Sequence, residues 1–211
     1  MKTLLATLFL SITFLTANAQ SVKYEQAMSK ALESLNRASM ADNFINAANT
    51  FERISMNEKN EWLPLYYSAY AYIVVCYVNP DKEQTDAMLD KAQKFIDQAL
   101  KIAPEESELF ALQAFLYPAR ITVDPMARGA EYIGKMNQAL DQAIKLNPEN
   151  PRSYYLRAIT TLNMPEGFGG GAANAKPIFE TAKVKFDAFE PKTKLSPNWG
   201  KEQNEQELSK L

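Results

Sequence analysis

The chain is 211 residues long, with 23 Lys or Arg against 25 Asp or Glu and a formal net charge of −2. A balance so mild and evenly spread excludes the basic footprint of a nucleic-acid-binding protein. Histidine is absent and Cys76 is the lone cysteine, which removes the commonest general base, the commonest zinc ligand and any intramolecular disulfide.

Lys2, the apolar stretch Leu4 to Leu15 and the small-x-small triplet Ala17-Asn18-Ala19 read as a signal peptide over 1–19. The apolar stretch is short for a bilayer, and no other segment is long and apolar enough to cross one. The expectation is therefore a single exported domain over 20–211, without a transmembrane anchor. It would be periplasmic or secreted in a Gram-negative bacterium. No cysteine stands at the cleavage point, so no lipid anchor is expected.

Beyond the leader, apolar residues recur at three- and four-residue spacing. The pattern predicts helices over 22–38, 42–57, 61–78, 83–103, 106–117, 128–146, 151–163, 172–189 and 199–210. No alternating run bounded by turn residues appears, so no sheet is expected. Paired in order, the helices give hairpins over 22–58, 61–103, 106–147 and 151–190, with a cap over 197–211. Small residues mark the middle of successive first helices (Ala69, Ala114, Ala158). Small or modest ones mark the second helices (Ala47, Ala92, Met136, Ala175), each followed by a bulky partner: Phe51, Ile96, Leu140 and Phe179. A small residue at a crossing lets two helices approach, and the bulky neighbour fills the adjacent groove. The cassette recurs at a period of about 44 residues, the signature of a stacked helical array.

Ala92, Ile96, Ala99 and Pro104 completing one repeat, with Ala114 in the next first helix, resemble the tetratricopeptide repeat superfamily. Met136, Leu140, Ala143 and Pro148, followed by Ala158, repeat the pattern. The first and last copies are degenerate: Lys59 stands where Pro would be, and Pro191 comes a turn late. Trp62-Leu63-Pro64-Leu65-Tyr66-Tyr67, the stretch Asn147 to Arg152, the Gly-rich loop and Pro197-Asn198-Trp199-Gly200 resemble a group of exported, largely uncharacterised bacterial members of that superfamily. The resemblance implies an all-α, right-handed superhelix of about four helical hairpins plus a C-terminal capping helix. It also implies a concave face lined by Tyr66, Tyr70, Phe115, Tyr155 and Ile159. The family's clamps for a peptide carboxylate use Lys, Asn and Arg there, whereas this chain carries aromatic and aliphatic residues.

The period exceeds the superfamily's, and the marker residues place the extra length between the first and second helix of each hairpin. Three expanded loops are thus predicted on one edge: Tyr77 to Asp86, Pro118 to Gly129 and Asn163 to Ala172. The middle one carries Arg120, Asp124 and Arg128, and paired guanidiniums can hold a carboxylate or phosphate. Solvated surface charges, or ion pairs that tie the loops together, are the plainer alternative. The last, Met164 to Gly171, contains Gly167, Gly169 and Gly170 before a helix, where backbone N–H groups can face an anion. A tight reversal with Phe168 tucked into a neighbouring repeat is its plainer alternative. No Lys-Ser/Thr follows, so it is not a P-loop. Cys76 lies in an apolar helix and reads as core. The polar tail, anchored by Leu208 and Leu211 with Trp199 over the final apolar face, reads as the cap.

These features point to a non-catalytic module, with no catalytic residue, cofactor or metal site expected, that binds a protein or peptide segment along the aromatic groove. The alternative is a small-molecule or anion site, enzymatic or not, built from Arg120, Arg128, Gly167, Gly169 and Gly170 where the loops converge. Self-association through the groove, giving a homo-oligomer, is the third reading. The plainer alternative is that the rings pack under the N-terminal hairpin or the last helix.

Overall fold

The computed structural model describes residues 22–211; the expected leader lies outside them. Every regular element among these residues is helical. Helix α1 covers 22–36. It is followed by α2 (Ala41–Asn57), α3 (Leu63–Val78), α4 (Lys82–Ile102), α5 (Ser107–Val123), α6 (Pro125–Leu146), α7 (Pro151–Asn163), α8 (Ala172–Ala188) and α9 (Lys201–Leu208), with one 3₁₀ turn at Glu166–Phe168. Consecutive helices pack on each other, and α3, α5 and α7 also touch in turn, forming an inner layer.

The inner helices are apolar where they are enclosed. Eleven residues of α3 are buried, from Pro64 to Cys76, and they lie on every side of the helix. Such a helix is stable only inside the layer. The outer helices α2, α4 and α6 are amphipathic, and each turns its small and bulky markers inward: Ala47 with Phe51, Ala92 with Ile96, and Met136 with Leu140 are all at most 2% exposed. The core runs along the array without a break. Phe115 and Tyr117 join the α1–α5 cluster to the α5–α7 cluster, and Tyr155 carries it on to Ala158, Ala175 and Phe179.

Two of the three expected loops are not loops. Helices α3 and α4 are separated only by residues 79–81, and α5 and α6 only by Asp124. The extra length of each repeat lies in longer helices, of 21 and 22 residues in α4 and α6. Proline explains the mistaken expectation around 118–129. Pro118 sits inside α5 and gives up one backbone hydrogen bond. Pro125 is the first residue of α6, where its missing N–H is no loss. Asp124 ends one helix and caps the next, its carboxylate accepting from the Ala127 N–H at 3.1 Å. Only the third segment, 164–171, is irregular.

The turns from one repeat to the next are short and self-capped. Residues 103–106 and 147–150 span equivalent gaps. Glu106 accepts from the Glu108 N–H and Asn150 from the Arg152 N–H. Asn150, fully buried, also donates to Ser107 Oγ at 2.9 Å, and Ser107 donates to the Ala143 carbonyl at 2.9 Å. The second turn is thereby tied to the start of α5.

Ala114 is 1% exposed where α5 crosses α6. Ala114→Leu should overpack this crossing and cost about 1–3 kcal/mol, measured by urea unfolding at an unchanged m-value. A loss of only a few tenths would show that the crossing is not close-packed.

Candidate functional site

The concave side of the inner layer is partly filled by the chain's own C-terminal strap, residues 189–200, which runs between α8 and α9. Leu195 is buried and its carbonyl accepts from Tyr67 Oη at 2.7 Å. Lys192 and Lys194 pair with Glu106 and Glu25 at 3.4 and 2.8 Å. The indole Nε1–H of Trp199 donates to Tyr66 Oη at 2.8 Å. Gly200 then turns the chain into α9 at φ +103°, where a Cβ would lie 2.9 Å from Phe186 Cζ. Tyr66 is fully buried. It meets Trp199 rather than an open groove.

A buried ion pair fixes where the strap lies. Arg152 Nε and Nη2 donate to Glu108 Oε2 and Oε1, both at 2.7 Å. Arg152 Nη1 donates to the Trp199 carbonyl at 3.2 Å. The guanidinium also lies 4.6 Å from the Phe189 ring centroid and 5.8 Å from that of Trp199. Burial pushes the Glu108 carboxyl up, against the opposing pull of Arg152 beside it. Neither residue was among the sequence candidates. A signal did exist, because the two are 44 residues apart, opposite charges at the same place in successive repeats.

The half-buried part of the concave face is an aromatic cluster. Tyr70, Phe115 and Trp199 form a triangle with centroid separations of 6.1, 5.3 and 5.4 Å and interplanar angles of 26°, 30° and 31°. Tyr77 extends it, 5.0 Å from Phe115 at 22°, with its hydroxyl donating to the Phe115 carbonyl at 2.9 Å. Four rings thus share one general orientation. Tyr155 is half-buried between Phe179, 6.4 Å away, and the cluster on which Phe115 and Trp199 rest. Ile159 is half-buried next to it against Ala158. Burial pushes the hydroxyls of Tyr70 and Tyr155 up to about 12, so both remain neutral phenols at ordinary pH. So Tyr70, Phe115, Tyr155 and Ile159 remain on the accessible side. Tyr77 and Trp199 join them, which spacing alone did not assign to this face.

The cationic candidates are engaged internally. Arg120 and Arg128 each reach Asp86 at 2.8 Å, and Arg120 also pairs with Asp90. The Arg128 Nη1 donor further reaches the Arg120 carbonyl at 3.4 Å. The cluster links α4, α5 and the start of α6. Together the two guanidiniums hold the Asp86 carboxyl at about 2, Arg128 contributing more. Among the described residues, no hydrogen bond or ion pair joins this cluster to the Gly-rich segment. There the Phe168, Gly169 and Gly170 N–H groups donate to the Pro165 and Glu166 carbonyls, and Gly171 donates to Thr161. The amides close a tight reversal instead of facing an anion. Gly170 is required by space, since a Cβ would lie 1.9 Å from the Met164 carbonyl oxygen. Phe168 is 80% exposed, so it stands out from the turn instead of tucking into a neighbouring repeat. Cys76 is buried in α3, its thiol pushed up to about 11 by burial.

No protein-family model matches the chain, and no curated protein matches it either. A solved structure, the HusA haemophore from Porphyromonas gingivalis, is similar over most of the fold. It shares 29% identity, with 88% of this chain and 90% of that chain covered and a TM-score of 0.80. MamA 41-end from Desulfovibrio magneticus RS-1 aligns over 80% of this chain and 97% of its own at 16% identity and a TM-score of 0.34. Likeness at that level carries no argument.

Asp86 supplies a pH test of the ion cluster. Its folded pKa is depressed, so the stability it contributes is full above the unfolded value, about 3.9, and is lost as pH falls through about 2. The melting temperature of the wild type should exceed that of Asp86→Asn at pH 5, and the gap should close as the pH is lowered toward 2. A gap that stays constant would show that the cluster does not hold Asp86 ionised.

Proposed function

We propose that this chain is a non-catalytic carrier whose ligand is a flat aromatic macrocycle of the tetrapyrrole class, held against Tyr70, Phe115, Tyr77 and Trp199. The observation that carries this reading is the four half-exposed rings of similar orientation on the concave face. A porphyrin offers two broad π faces, and offset stacking on aromatic rings is favourable beyond the apolar area it buries. The likeness to a haemophore over 88% of the chain supports the same ligand class. With no histidine in the sequence, the commonest nitrogen ligand for a haem iron is missing. Recognition then rests on the ring faces, with the neutral phenols of Tyr70 and Tyr155 available at the margin.

In this reading the chain is a tetratricopeptide-like solenoid that works after export, in the periplasm or outside the cell. The strap explains why a long peptide is the less suitable occupant. It crosses the N-terminal half of the groove and buries Tyr66, leaving a short aromatic site where an extended segment would need a continuous channel. A protein partner remains the second reading, favoured by a different surface. Between the first and second helices of three hairpins, Val78, Met126 and Phe168 are 46%, 97% and 80% exposed, and large apolar side chains in water suit a protein contact where they form a patch.

Titration of the protein with a metal-free porphyrin and with an iron porphyrin, followed by the porphyrin absorption band, tests the carrier reading. Both should bind saturably. Tyr70→Leu and Phe115→Leu, which keep apolar volume but remove a ring, should each weaken binding by several-fold to about tenfold. The absence of any saturable change, or identical affinities in all three proteins, would sink the reading.

A further inference from the structure

We propose that Arg152, which no ligand can touch, is a positioning residue for the ligand site and acts through Trp199; the inference rests on the carrier reading above. Trp199 is the one ring of the aromatic cluster that does not stand on a helix. It belongs to the irregular strap, and a half-exposed indole on such a segment has no backbone lattice to hold it. Three contacts supply what the helix does not. Tyr66 Oη accepts its N–H, Arg152 donates to its carbonyl, and Gly200 in the left-handed region lets the next residue turn away.

Arg152 is suited to this task by its geometry. A guanidinium is a rigid planar fork with five donors. Here two of them are fixed on Glu108, a third is aimed at the Trp199 carbonyl, and the flat face rests on Phe189. Stability alone does not require a charge at this place, because a well-packed apolar pair often serves as well as a buried ion pair. An apolar pair would, however, leave the Trp199 carbonyl without its directional donor. Arg152 also begins α7, at the positive end of the helix dipole, where a cation is disfavoured. Glu108 offsets that cost and orients the fork. The indole plane therefore follows from a chain of contacts: Glu108 sets Arg152, Arg152 sets the strap at Trp199, and Tyr66 sets the ring's rotation. Trp199 in turn borders the Tyr70–Phe115 surface, with its ring 5.4 and 5.3 Å from theirs.

A double-mutant cycle distinguishes positioning from general support of the fold. Metal-free porphyrin is titrated against the full chain, Arg152→Lys, Trp199→Leu and the double variant, with melting temperatures from circular dichroism recorded alongside. Trp199→Leu should weaken binding about tenfold. Arg152→Lys, which keeps the charge and loses the fork, should weaken it several-fold, and the double variant should bind no more weakly than Trp199→Leu alone. If Arg152→Lys weakens binding by the same factor in the Trp199→Leu background, Arg152 does not act through Trp199 and the proposal fails. Trp199→Leu binding as tightly as the wild type would also overturn it and remove Trp199 from the carrier site, while the part of that reading that rests on Tyr70 and Phe115 would stand on their own variants. Failure of the wild type itself to bind overturns both. Where Arg152→Lys melts well below the wild type, Arg152→Gln, which keeps a donor for the Trp199 carbonyl and loses the charge and the fork, takes its place in the cycle with the same expected outcomes, and Tyr66→Phe tests the indole's other anchor separately.

Discussion

Glu108 and Arg152 form a bidentate pair removed from water, between the first turns of two inner helices. Removing one partner of such a pair typically costs about 3–5 kcal/mol, because the survivor is left charged and unpaired. The placement of the concave face rests on this contact together with the strap's own anchors at Tyr67, Tyr66, Glu106 and Glu25. It fixes α7 against α5, and through the third arm of the fork it fixes the strap that crosses the groove. Ser107 and Asn150, one residue before Glu108 and two before Arg152, repeat the link with neutral hydrogen bonds. A charge pair and a polar chain therefore join two repeat boundaries that apolar packing alone would leave free to slide.

The strap changes what kind of surface the array presents. A helical solenoid ordinarily offers a long concave channel. Here the channel is shortened by a segment that buries Tyr66 and Tyr67 and contributes a ring of its own. What remains is a compact patch of similarly oriented rings with neutral phenols beside it. The rings stack partly on one another, and the nearby guanidiniums are already paired with carboxylates. In the carrier reading proposed above, this chemistry suits a flat ring system that is bound through its faces.

Much of the architecture was legible before any coordinates. The inner and outer helices, their order and the small residues at crossings follow from periodicity that each segment carries within itself. The loops were not legible in the same way. Pro118, Pro125 and Gly129 have the composition of a break, yet α5 continues through Pro118 because its flanks are held on both sides by neighbours, and α6 begins on Pro125 because that position needs no donor. Phe168 shows the converse. Its apolar character suggested a tucked side chain, but in the glycine-rich turn the ring stands 80% exposed.

The site divides along the same line. The sequence placed Tyr70, Phe115, Tyr155 and Ile159 on helices through their periodicity, and the resemblance to the tetratricopeptide pattern implied the face they share. The sequence equally determined that no histidine is available to a metal. Only the tertiary structure decided that Tyr66 is covered, that Tyr77 and Trp199 belong to the patch, and that Arg120 and Arg128 are bound to Asp86. Trp199 meets Tyr66 across 133 residues of chain and Leu195 meets Tyr67 across 128. Contacts at that separation are chosen by the packing of the whole array, so no local pattern in the sequence could specify them.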